Sequence, residues 1–113
     1  MALVPMESDD MNTSESVELK TGVTKVSFRS KKTGHIVWIV GILQKSLSAD
    51  GWNQLCVIPA GYRPIVTVNA LSVNSTDDTA IETRIDTDGT ISVWPKGVSG
   101  TKNISISTFY YDF

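Results

Sequence analysis

An all-β fold, a small antiparallel β-barrel or sandwich of about six to eight strands, is what this chain predicts. Three observations carry the prediction. From Val17 onward, short runs rich in Val, Ile, Thr and aromatic residues are divided by turn residues. No stretch of useful length has helical period. A chain of 113 residues is long enough for one core and too short for two.

Met1 to Ser16 is polar, acidic and aperiodic, and reads as a flexible lead or linker ahead of a single domain spanning 17–113. The first strand is expected over Val23–Ser30, with Val26 and Phe28 on a buried face and Lys25, Ser27 and Arg29 in water. Lys31–Gly34 should turn the chain into a second strand, His35–Gln44. There Ile36, Trp38, Val40 and Ile42 share one side, and Val37, Ile39 and Leu43 share the other. Ser48–Gly51 turns again into Trp52–Ile58.

A rigid corner follows at Pro59-Ala60-Gly61-Tyr62-Arg63-Pro64, because each proline fixes φ and removes a ladder donor. Ile65–Val73 is expected to leave the corner as a strand apolar on both sides. A polar loop, Asn74–Asp78, leads to Ala80–Asp86, and Asp88-Gly89 marks a tight hairpin returning as Ile91–Trp94. After Pro95–Gly100 the last strand, Ile104–Phe113, sets Ile104, Ile106, Thr108 and Tyr110 against Phe109, Tyr111 and Phe113.

Strands apolar on both sides need two dry surfaces, whereas one layer of a small barrel offers one. Val37, Ile39, Val66 and Val68 are expected to have no shelter within a lone protomer. Each exposed side chain forgoes roughly 1.5–3 kcal/mol of burial, so the pattern predicts a compact homo-oligomer.

Composition excludes several classes of function. The formal net charge of −2, with one dense basic run at Arg29-Ser30-Lys31-Lys32, is wrong for a nucleic-acid partner. No segment has the roughly 18–20 consecutive apolar residues of a membrane-spanning helix, so no membrane partner is expected. The single Cys56 lies in an apolar strand and reads as a buried structural thiol. One histidine and one cysteine cannot furnish a structural zinc site within one chain, and no cofactor is implied.

Catalytic signatures are lacking as well: no nucleophile elbow accompanies the single His35, and Asp88 reads as a turn residue. Saccharide binding suits the inventory better. It needs an aromatic ring for the C–H face of a sugar, with carboxylates and Arg forks for the hydroxyls. Arg84 and Asp86 point to one strand face at i, i+2, and Trp94 closes the other arm of the hairpin. An outward ion pair beside a packed tryptophan is the competing reading of the same three residues. His35, at a strand entrance, is a weaker saccharide candidate, and packing is favoured for Trp52, Tyr62 and Arg63 near the corner.

The corner Ile58-Pro59-Ala60-Gly61-Tyr62-Arg63-Pro64, with Arg84-Ile85-Asp86-Thr87-Asp88-Gly89-Thr90-Ile91 further on, resembles the C-terminal head domain of bacteriophage tail and baseplate receptor-binding proteins. The resemblance is to those of phages infecting lactococci, streptococci and other Gram-positive bacteria, and it runs from about Val23 to the C-terminus. It implies a β-barrel head that closes into a homotrimer in the virion, at the tail tip or baseplate beside other tail proteins. It also implies recognition of a host cell-surface glycan, without enzymatic activity.

In several lactococcal heads a His-x-Asp pair acts with a following Trp and an Arg. Here Arg84-Ile85-Asp86 and Trp94 fall at the corresponding place, and the histidine is absent. The family's shoulder and neck regions are absent too, so an excised head or a short accessory tail protein is expected. Two alternatives stay open: a structural tail or assembly protein without glycan affinity, and a glycan-cleaving tail domain using Asp86 or Glu82.

Overall fold

A computed structural model describes residues 17–112 of the chain. The proposed lead over 1–16 and the side chain of Phe113 lie outside the described residues. The described chain folds into eight antiparallel strands: β1 (Glu18–Leu19), β2 (Thr24–Thr33), β3 (Ile36–Leu47), β4 (Asn53–Val57), β5 (Val68–Asn74), β6 (Thr79–Ile85), β7 (Thr90–Trp94) and β8 (Gly100–Tyr111). They form one sheet in the order β1-β4-β7-β6-β5-β8-β3-β2, curled into a nearly closed barrel. No helix occurs among the described residues.

Period-two alternation builds the interior. β3 sends in Val37, Ile39, Leu43 and Leu47, and β8 sends in Ile104, Ile106 and Tyr110. β6 and β7 face them with Ile81, Ile85, Ile91 and Val93. A bulge between Gln54 and Cys56 on β4 lets two consecutive residues, Leu55 and Cys56, both face the core. Thr83 is also fully buried, and its hydroxyl lies 2.7 Å from that of Ser72 on β5.

Several expectations are corrected. Val37 and Ile39 are not surplus: both are wholly buried, and the outward side of β3 carries Trp38 and Val40 instead. Of the other two valines, Val68 is half-buried and Val66 remains exposed. A second bulge, between Lys25 and Ser27, displaces Val26 from the inward face, and it is 57% exposed while Phe28 is buried. That bulge brings β2 close to Gly41, where an added Cβ would lie 2.6 Å from the carbonyl oxygen of Ser27. β2 runs on to Thr33, so the turn is Gly34-His35, with Gly34 at positive φ, rather than Lys31–Gly34. Ile65–Thr67 stay irregular, and the ladder resumes only at Val68.

The proline corner is a packed joint. Tyr62 is buried, its carbonyl accepts from the hydroxyl of Tyr110, and Arg63 Nε donates to the carbonyl of Ile58 at 2.8 Å. At the seam where β1 and β2 do not pair, lysine side chains span the gap. Lys45 Nζ donates to the carbonyl of Gln54 at 2.6 Å, and Lys32 Nζ to that of Gly61 at 3.0 Å.

Candidate functional site

The outward face of β5, β6 and β7 gathers the candidate residues. Register alone aligns Leu71, Glu82 and Trp94 in one row across three strands. Asn69, Arg84 and Ser92 form the next row, continued by Gln54 on β4. Trp52, just before β4, reaches this face because Asn53 holds the preceding turn. Asn53 Oδ1 accepts from Ser48 N at 2.9 Å, while its Nδ2 donates to the carbonyl of Ser48 at 3.0 Å.

The structure brings Arg84, Asp86 and Trp94 onto one face and adds Trp52 between them. The Arg84 guanidinium carbon sits 4.2 Å from the Trp52 ring centroid. Trp52 in turn meets Trp94 edge to face, with ring centroids 5.5 Å apart and planes at 75°. Such tilted contacts suit the ring quadrupole. Ser92 points outward on β7 beside Arg84, yet is only 1% exposed in this cluster.

Arg84 Nε lies 3.1 Å from Asp86 Oδ1, within ion-pair range. The N–H is not aimed at the carboxylate, so the contact is a charge pair and not a hydrogen bond, and Nε has no hydrogen-bond partner. Arg84 is therefore held by Trp52 on its face and by Asp86 at its edge.

Trp94 is the hinge between this cluster and an open groove of about 760 Å³. Asn69, Leu71, Glu82, Trp94, Pro95 and Lys96 line it together with the small Ala70 and Ala80; Arg84 and Asp86 do not. Glu82 and Lys96 pair at 3.3 Å beside it. Lys96 takes a positive φ of 51° and Gly97 one of 94°, so the loop after Pro95 bends back, and Gly97 N donates to the carbonyl of Ala49 at 2.9 Å. This ties the β7–β8 loop to the β3–β4 loop.

His35 is elsewhere. It occupies the β2–β3 turn, where Ile36 pairs with Tyr111 at the finish of β8, whereas Trp94 leads into the loop that starts β8. Its Nδ1 lies 2.9 Å from Asp112 Oδ1, and Lys32 pairs with the other oxygen of that carboxyl. The lysine hydrogen bond and then that of His35 hold the Asp112 carboxyl below the ordinary carboxylate range. Asp88 keeps to turn chemistry: its Oδ1 accepts from Thr90 N at 2.9 Å, which lowers its pKa. Asp77 is held low mainly by Lys102 at 2.7 Å, and then by Asn74.

Trp52, Asn69, Leu71 and Lys96 escape the sequence reading of this face, and Glu82 enters it only as a candidate acid. The outward alternation of Leu71, Glu82 and Trp94 is the signal available for the groove. Trp52 has none, because its position depends on how β4 registers with β7. Among the described residues, no three His, Cys, Asp or Glu side chains are grouped to hold a metal ion. No helix among them is long and apolar enough to cross a membrane. The sequence matches no protein-family model and no curated protein.

Proposed function

We propose that the chain is a non-enzymatic phage tail or baseplate head that recognises a host cell-surface saccharide through the face carrying Arg84, Asp86 and Trp94. The tail assignment rests on the resemblance of the Pro59–Pro64 corner and the Arg84–Ile91 hairpin. The saccharide reading rests on one observation above all. Trp94 leaves the barrel 36% exposed in an open groove, with Trp52 packed against it and the charged Glu82 and Lys96 lining the same groove. An exposed ring in a groove with a carboxylate and a cation is what carbohydrate recognition needs.

The reading includes a homotrimer, with many weak sites acting together to hold the host. Surplus apolar surface supports association: Trp38, Val40, Phe109 and Tyr111 are 44–54% exposed on the outer face of β3 and β8, with Trp38 and Phe109 at 5.1 Å. The test is retention on purified cell-wall polysaccharide. Trp94→Ala should abolish retention while the fold and particle size persist; undiminished retention would sink the site.

The same Trp38–Phe109 patch favours a second reading, a structural tail protein whose apolar faces only join subunits. A stable trimer with no affinity for any glycan on an array would decide for it.

A further inference from the structure

Building on the saccharide reading, we infer that the sugar lies in the groove lined by Trp94 and is an uncharged pyranose. Trp94 supplies the stacking platform, and Glu82 with Asn69 binds adjacent hydroxyls. Arg84 and Asp86 are positioning residues that act through Trp52.

Four observations carry this division of labour. The groove is lined by Asn69, Leu71, Glu82, Trp94 and Lys96, and not by Arg84, Asp86 or Trp52. Arg84 is already engaged, with its guanidinium over Trp52 and its edge at Asp86. Trp52 meets Trp94 at 5.5 Å and does not line the groove, whereas Trp94 does, so Trp94 is the one ring shared by the cluster and the groove. The groove's volume of about 760 Å³ suits a small ligand.

The row Leu71–Glu82–Trp94 gives this pocket the two sides a sugar presents. Leu71 and Trp94 meet ring C–H groups, while the Glu82 carboxylate between them accepts from hydroxyls. Asn69, one row along, offers both an amide donor and an acceptor.

Charge sets the ligand class. Glu82 and Lys96 pair at 3.3 Å, so the two charges of the groove cancel. A uronate or glycerol phosphate would meet the Glu82 carboxylate with no uncommitted cation to offset it, because Arg84 is turned to Trp52 and Asp86. A neutral ring carries no such penalty.

The test uses the indole N–H resonances of Trp38, Trp52 and Trp94 in ¹⁵N-labelled full-length protein, assigned by single Trp→Phe variants. Methyl glycosides of glucose, galactose, rhamnose and N-acetylglucosamine are titrated against glucuronate and glycerol 1-phosphate. At least one neutral glycoside should move Trp94 strongly and leave Trp38 still, with both anions inert. Glu82→Gln should weaken that binding about tenfold, with a well-dispersed spectrum confirming the fold.

A neutral glycoside whose binding is lost in Asp86→Asn but kept in Glu82→Gln would overturn the groove assignment and leave the saccharide reading standing. Stronger binding of an anion would overturn the neutral class alone. Silence from every glycoside, with no retention on polysaccharide, would overturn both.

Discussion

The guanidinium of Arg84 rests on the face of Trp52, 4.2 Å from its centroid, and so ties β6 to the residue that precedes β4 across the intervening strand. Removing the ring in Trp52→Ala should cost about 0.5–2 kcal/mol of stability, read from urea unfolding. Binding to polysaccharide should fall further than this loss implies, because Trp94 is deprived of the ring that sets its angle. Full binding by the folded variant would restrict Trp52 to packing.

Gly89 is expected to tolerate no side chain. Its φ is +89°, and a Cβ there would lie 2.5 Å from the carbonyl of Ile58 and 2.8 Å from Arg63 Nε. Gly89→Ala should therefore destabilise by about 1–3 kcal/mol through backbone strain alone, and by more once Arg63 is displaced from the Ile58 carbonyl. A midpoint shift in urea measures it. Gly34→Ala, with open space around it, should show the strain without the collision.

Acid should weaken the fold in a defined direction. Asp112, held low by Lys32 and then His35, Asp77, held low by Lys102, and Asp88, held low by the Thr90 amide, all have folded pKa values below their unfolded ones. Their stabilisation is complete above the unfolded carboxylate pKa, near 4, and is lost as pH falls through the lower folded values. The thermal midpoint should thus hold from neutrality to about pH 5 and decline below about pH 4. Asp112→Asn should lower the plateau and flatten the decline, and an acid arm identical to the parent's would remove Asp112 from the account.

Cys56 should be inert in the native protein. Its thiol is fully buried, and burial pushes its pKa up to about 12, which leaves almost no thiolate at neutral pH. A disulfide reagent such as DTNB should react only after denaturant is added. Prompt labelling without unfolding would mean that β4 opens far more readily than its packing suggests.

The elements most legible in the chain are those with local causes. The Asp88-Gly89 hairpin, the polar Asn74–Asp78 loop and the alternation of β8 follow from turn chemistry and from side chains two residues apart. Sidedness was legible only in part. Val37 and Trp38 belong to equally apolar faces, so alternation tells that β3 has two dry-looking sides without telling which is inside. The displaced Val26 depends on a bulge, and the bulge on the absence of a side chain at Gly41, a contact between strands.

The candidate site divides along the same line. Arg84, Asp86 and Trp94 sit on one hairpin and were visible together, whereas Trp52 and Asn69 arrive through the β4–β7 and β5–β6 registers. Ile65–Thr67 read as strand because they are apolar and β-branched. They stay irregular after Pro64, whose ring has no amide hydrogen for a ladder.

β8 pairs with β3 along its whole length and joins β5 through Val73–Ser105 and Asn74–Ile104, so two half-sheets share their final strand. A nascent chain emerging from the ribosome therefore holds two incomplete curls until residues 100–111 appear, and closure must wait for that segment. Split before Gly100, the protein becomes a receptor for its own missing strand: a synthetic peptide of that segment should restore the barrel in trans.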